Sequence, residues 1–180
     1  MKIKKLIAIF SLLLCGILLT ACQDSPTDAV KKAIKDFQKS ETSTGELALS
    51  DEAMDEEILL LYGQVLDKEK DFDYDILSED IAEDGKTAVV TVSLSTYDFG
   101  LAYLDTWDEI IESGNTDEQN LYKTMFNKML ELEEKSYTAE VAINCTMKDG
   151  KWTADLAGNS DFSNAIFGGV PQLVEEFAQL

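Results

Sequence analysis

The clearest signal in the chain is the alternation that begins at Tyr137. Tyr137, Ala139, Val141, Ile143, Cys145 and Met147 are apolar, and Thr138, Glu140, Asn144, Thr146 and Lys148 between them are polar. A period of two places one set on each face of a β-strand. Asp149-Gly150 suits a two-residue hairpin turn, after which Trp152, Ala154 and Leu156 return on the matching face. That register sets Met147 opposite Trp152 and Cys145 opposite Ala154. An earlier hairpin is read the same way. Phe72, Tyr74 and Ile76 alternate with Asp71, Asp73 and Asp75; Glu83-Asp84-Gly85-Lys86 turns; Ala88, Val90, Val92 and Leu94 alternate with Thr91, Ser93 and Ser95.

Helical spacing fills the intervals between these strands. Ser25-Pro26-Thr27-Asp28 has an N-cap, a proline at the first helical position and an acid three residues after the cap, followed by Val30, Ala33, Ile34 and Phe37 on one face. Residues 40–49 read as a loop. Ser50 is the expected cap of a second helix bearing Met54, Ile58, Leu61, Tyr62 and Val65. Tyr97-Asp98-Phe99-Gly100 leads into a third, with Tyr103, Trp107, Ile110 and Ile111. Thr116-x-x-Gln119 is a capping box for a fourth, with Leu121, Tyr122, Met125, Met129 and Leu132. After Phe162, Ile166 and Phe167, Gly168-Gly169 breaks the chain, and Pro171 opens a terminal helix with Val174 and Phe177. Hairpins kept apart from helices predict an α+β fold, in which two antiparallel hairpins pack on helices.

The N-terminus alters the picture. Lys2, Lys4 and Lys5 precede an apolar run from Leu6 to Leu18, and Leu19-Thr20-Ala21-Cys22 follows. A basic region, a short apolar region and small residues at a cleavage point make a secretory signal over residues 1–21. A cysteine at that point makes it a lipobox, and Cys22 the lipidated residue. Residues 22–25 are then a very short tether to a single extracytoplasmic domain over 26–180. Three residues at no more than ~3.6 Å each hold that domain within roughly 11 Å of the lipid. The expected location is the cell membrane, anchored by acyl chains such as palmitate on the extracytoplasmic face. With Cys15 in the leader and Cys22 on lipid, Cys145 has no disulfide partner.

Charge and chemistry narrow the role. Fifteen lysines stand against 35 acidic residues, with no histidine, and loss of the three leader lysines takes the formal charge from −20 to −23. Such an acidic surface disfavours nucleic acid, whose binding needs lysine and arginine on phosphates. Absence of histidine removes Ser-His-Asp and Cys-His systems and the usual Cys/His zinc sites. Asp71-x-Asp73-x-Asp75 lacks the Gly and Glu of a calcium loop, Ile76 and Ala82 standing there instead. No catalytic set, metal site or cofactor is expected. The expected partners are the membrane through Cys22 and either an envelope protein or a small apolar ligand.

The lipobox, the Pro26 to Val30 helix start and Tyr97-Asp98-Phe99-Gly100 carry a family likeness, together with Lys148-Asp149-Gly150-Lys151-Trp152 and Ala165-Ile166-Phe167-Gly168-Gly169. The chain resembles small lipoproteins of Gram-positive bacteria with a cystatin-like or NTF2-like domain, many of unknown function. The resemblance implies a curved antiparallel sheet of two hairpins wrapped around helices, sometimes with a cone-shaped pocket, and no established activity. Tyr97, Asp98, Tyr103 and Trp107 are its candidate pocket residues. The leading expectation is a non-enzymatic binding module. The alternative is an isomerase-like or hydrolase-like enzyme with Asp98 as base and Tyr97 or Tyr103 as donor, as in ketosteroid isomerases.

Overall fold

A computed structural model describes residues 24–41, 55–114 and 117–179. The leader, the lipobox with Cys22 and the expected loop over 40–49 from residue 42 onward lie outside the described residues, as do Ser50 and Thr116. Among the described residues six helices and four strands follow one another: α1 (Pro26–Gln38), α2 (Glu56–Lys68), β1 (Asp73–Ile81), β2 (Thr87–Thr96), α3 (Phe99–Ser113), α4 (Glu118–Glu131), β3 (Tyr137–Lys148), β4 (Lys151–Ala154), α5 (Ser160–Ile166) and α6 (Val170–Phe177). The strands form one open antiparallel sheet in the order β1-β2-β3-β4. The fold is α+β, and no described helix is long and apolar enough to cross a membrane.

Helix α1 starts as its sequence requires. The Ser25 hydroxyl accepts from the Asp28 amide at 3.0 Å, and the Asp28 carboxylate accepts from the Ser25 amide at 3.2 Å. The Thr27 amide, left over by the helical ladder, donates to Glu79 Oε2 on β1 at 2.9 Å. Val30 and Ile34 then point fully into the sheet. They meet Ala88, Val90, Val92 and Leu94 of β2 and Val141, Ile143 and Cys145 of β3, with Phe162, Ala165 and Ile166 closing the layer. Phe37 and Phe72 each meet Phe162 edge to face there, at 5.6 and 6.0 Å between centroids, and lie tilted to one another at 6.2 Å. Each such side chain contributes about 1.5–3 kcal/mol on burial.

The hairpin register matches the alternation residue for residue: Met147 pairs with Trp152 and Cys145 with Ala154. Asp149 and Gly150 both have positive φ (53° and 76°), the geometry of a two-residue turn. Strand β1 departs from expectation. It runs on to Ile81 through a bulge between Ile76 and Ser78, beyond which its side chains are exposed. Backbone pairing with β2 sustains that stretch without help from the core, so apolar alternation does not reveal it.

Helices α2, α3 and α4 build a second apolar cluster around Ile58, Val65, Phe99, Ala102, Phe126 and Met129. Two helix starts differ from those expected. Asp55, one residue before α2, accepts from the Ile58 amide at 2.9 Å. Asp117 caps α4 by accepting from Asn120 at 2.9 Å. Each aspartate binds the free amide three residues on, the bond any cap must make. The C-terminal segment holds one more helix than its apolar pattern announces. Seven-residue α5 is fixed by Asn159, whose side chain accepts from the Phe162 amide and donates to the Ala142 carbonyl of β3.

Candidate functional site

The helical cluster forms a half-open cavity of about 1040 Å³, at the upper end of the range for small-molecule sites. Its walls are helix faces. Tyr62 and Val65 come from α2; Phe99, Tyr103, Trp107 and Ile110, three or four residues apart, from α3; Tyr122, Met125 and Met129 from α4; Val170 and Val174 from α6. No described strand residue lines it, so the space does not lie between sheet and helices as a cone-shaped pocket would. Aromatic rings define its shape. Tyr122 stacks on Phe126 at 6.2 Å, and Tyr62 lies 5.4 Å from the same ring. Tyr103 meets Trp107 edge-on at 6.2 Å and Phe177 at 6.3 Å. Burial, with Glu69 nearby, pushes the Tyr62 phenol above its ordinary range. In the wall the buried Thr106 Oγ1 donates to the Ala102 carbonyl at 2.8 Å and is spent on its own helix.

Of the four candidate residues, Tyr103 and Trp107 line this cavity and Tyr97 and Asp98 do not. The Asp98 carboxylate accepts from the Leu101 amide at 2.9 Å as N-cap of α3. The ring of Tyr97 packs on the helical cluster, and its hydroxyl donates to Asp71 at 2.7 Å. Asp71 and Asp73 converge on Lys135, at 2.8 and 3.2 Å, so these two members of the acidic run hold an ammonium group. Lys135, ahead of the Tyr97 hydroxyl, holds Asp71 below the usual carboxylate range; the hydrogen bond to Asp71 raises Tyr97. Cys145 is buried, and burial, ahead of Glu79, pushes its thiol up to about 11.

Two residues that no motif singled out matter here. Lys68, at the end of α2, donates to the carbonyls of Leu130 (2.7 Å) and Leu132, capping the end of α4, and its ammonium sits 4.4 Å from the Tyr97 ring centre. It joins the helical cluster to the chain leaving the sheet, and burial lowers its pKa. A basic residue in a last helical turn is the only trace of this in the sequence. Glu69 follows it with 6% of its surface exposed, and its Oε2 has no hydrogen-bond partner among the described residues. Burial raises its carboxyl to about 8, outweighing the opposing charge of Lys70. Nothing in the pattern marks Glu69, because glutamate in a last helical turn is ordinarily wet.

Gly168-Gly169 is the backbone joint that seats α6 against the cavity. Gly168 has φ of +55°, and a Cβ there would collide with the Tyr97 carbonyl and the Phe99 amide. The Gly100 amide donates to the Gly168 carbonyl at 3.1 Å. Two backbones therefore touch where the Tyr97-Asp98-Phe99-Gly100 and Gly168-Gly169 motifs meet, and only glycine fits.

No family model and no curated protein matches the chain. Among solved structures it is similar to one described as the lipoprotein ycdA of Bacillus subtilis, at 16% identity and a TM-score of 0.38. The match covers 81% of this chain and 46% of the other, so the chain spans about half of that protein's length. A likeness of this degree carries no argument about activity.

Proposed function

We propose that this chain is a lipid-anchored extracytoplasmic binding module, and that its helical cavity takes a small apolar ligand. The observation that carries the reading is the cavity itself: a preformed, aromatic-walled space of about 1040 Å³ in which the buried Thr106 hydroxyl is satisfied by its own helix. Such a space gains free energy by replacing water with an apolar body and needs no reacting group. The placement of Asp98 supports binding over catalysis, since a carboxylate engaged as a helix cap outside the cavity is not set to move a substrate proton.

The anchor rests on the sequence of residues 1–22, and the same reading retains the cystatin-like or NTF2-like class, supported by two hairpins joined edge to edge with α1 on their apolar face. Two experiments test the proposal. Mass spectrometry of the N-terminal peptide is expected to find Cys22 acylated; a bare thiol ends the proposed address. Calorimetric titration with medium-chain alcohols is expected to show saturable binding that Val174→Trp abolishes while the helical circular dichroism persists. No binding by the wild-type chain would refute the cavity's proposed role.

A further inference from the structure

Apart from the Tyr62 and Tyr103 hydroxyls, the described lining offers little to a polar group, so the charged end of a ligand belongs at the rim. The formal charges among the described lining residues are there, and both are negative: Glu118 in the first turn of α4 and Glu175 on α6, each exposed. No lysine is among those lining residues. The lysines further along α4 face other partners: Lys123 meets Asp55 at 3.0 Å, and Lys128 meets Glu109 at 2.9 Å. The Tyr122 hydroxyl donates to Glu118 at 3.4 Å and orients it. Trp107, 38% exposed, and Tyr103 contribute aromatic rings to the same lining. Carboxylates beside aromatic faces attract a cation by charge and by the ring quadrupole, and they repel an anion.

We infer, resting on the proposal that this cavity takes an apolar ligand, that the ligand is an amphiphile with a positively charged, alkylammonium-type head. Its apolar chain fills the space between α2, α3, α4 and α6. Its head lies at the rim, towards Glu118 or Glu175, where an anionic head would face like charge and a neutral one would gain neither interaction.

Three probes with the same ten-carbon chain separate the possibilities: decyltrimethylammonium, decanol and decanoate, each below its micellar concentration. Calorimetric titration uses the purified full chain in about 0.15 M salt, where long-range charge is screened. The expected result is that the cation binds about tenfold tighter than decanol, with decanoate weakest. Glu118→Gln/Glu175→Gln should bring cation and alcohol within about twofold. Asp80→Asn/Glu140→Gln, which removes the same charge from the exposed face of the sheet, should leave the preference intact. Equal binding of the three probes, or tighter binding of decanoate, overturns the head-group inference and leaves the apolar cavity standing. Loss of the preference in the sheet variant, or its survival in the rim variant, assigns it to net charge and also overturns the inference. Failure of all three probes to bind removes the cavity reading together with it.

Discussion

Glu69→Gln should flatten the dependence of stability on pH. The native carboxyl titrates near pH 8 and the ordinary value is 4.5, so the folded state holds this proton more tightly than the unfolded chain. Stability from that proton is fully present below pH 4.5, is lost as pH rises towards 8, and changes no further above it. At about 1.4 kcal/mol per pH unit, the whole window is worth on the order of 5 kcal/mol, of which roughly 3 has gone by pH 7. That is a large share of the about 5–15 kcal/mol that keeps a domain folded. Glutamine keeps the shape, has no charge to desolvate and does not titrate. Urea unfolding of both proteins at pH 5, 6, 7 and 8, at constant ionic strength, gives the difference at each pH. Repulsion among the many other acids cancels in that difference. The variant should gain on the wild type by about 1 kcal/mol or more per pH unit between 5 and 7. A difference constant from pH 5 to 8 would show that Glu69 is hydrated and would refute the reasoning.

Three further outcomes are expected. Gly168→Ala should cost more than Gly85→Ala, because both have positive φ while only at position 168 does the new methyl strike backbone. The left-handed conformation alone costs about 1–2 kcal/mol, so equal losses in thermal melts would remove the close contact with Tyr97 and Phe99 from the argument. Asp98→Ala should lose about 1 kcal/mol of stability as a missing cap while leaving alcohol affinity of the cavity unchanged; a collapse of affinity in calorimetry would return Asp98 to the site. Cys145, with its thiol raised to about 11 inside the sheet core, should stay unlabelled by iodoacetamide at pH 8 until denaturant is added, as read by peptide mass mapping.

Much of the sheet could be read in advance because its side chains report their own environment. Val141, Ile143 and Cys145 face one way, their polar neighbours the other, and a one-residue slip would bury Asn144 or Thr146. The legible helix start was Ser25-Pro26, where cap, proline and acid coincide. At α2 and α4 the chain offers several capping residues in a row, and Asp55 and Asp117 bind the amides; a local motif cannot rank competitors that differ by the tertiary position of the first turn. The candidate site divides for a similar reason. Tyr103 and Trp107 fall on the cavity side of α3 by helical periodicity, whereas Tyr97 and Asp98 precede the helix, where direction is set by Asp71 and by the Gly168 contact. Glu69 and Lys68 were illegible, since burial of an acid and capping of a helix distant in sequence are decided by packing alone.

The apolar interior is split in two, one part under the sheet and one among α2, α3 and α4, with Lys68, Tyr97 and the Gly100–Gly168 contact at the seam. Each part can open separately. A guest lodged among the helices would slow amide exchange in α2, α3, α4 and α6, while β2 and β3 keep their unliganded protection. Occupancy would thus leave a signature in one half of the molecule, readable amide by amide before the natural guest has been identified.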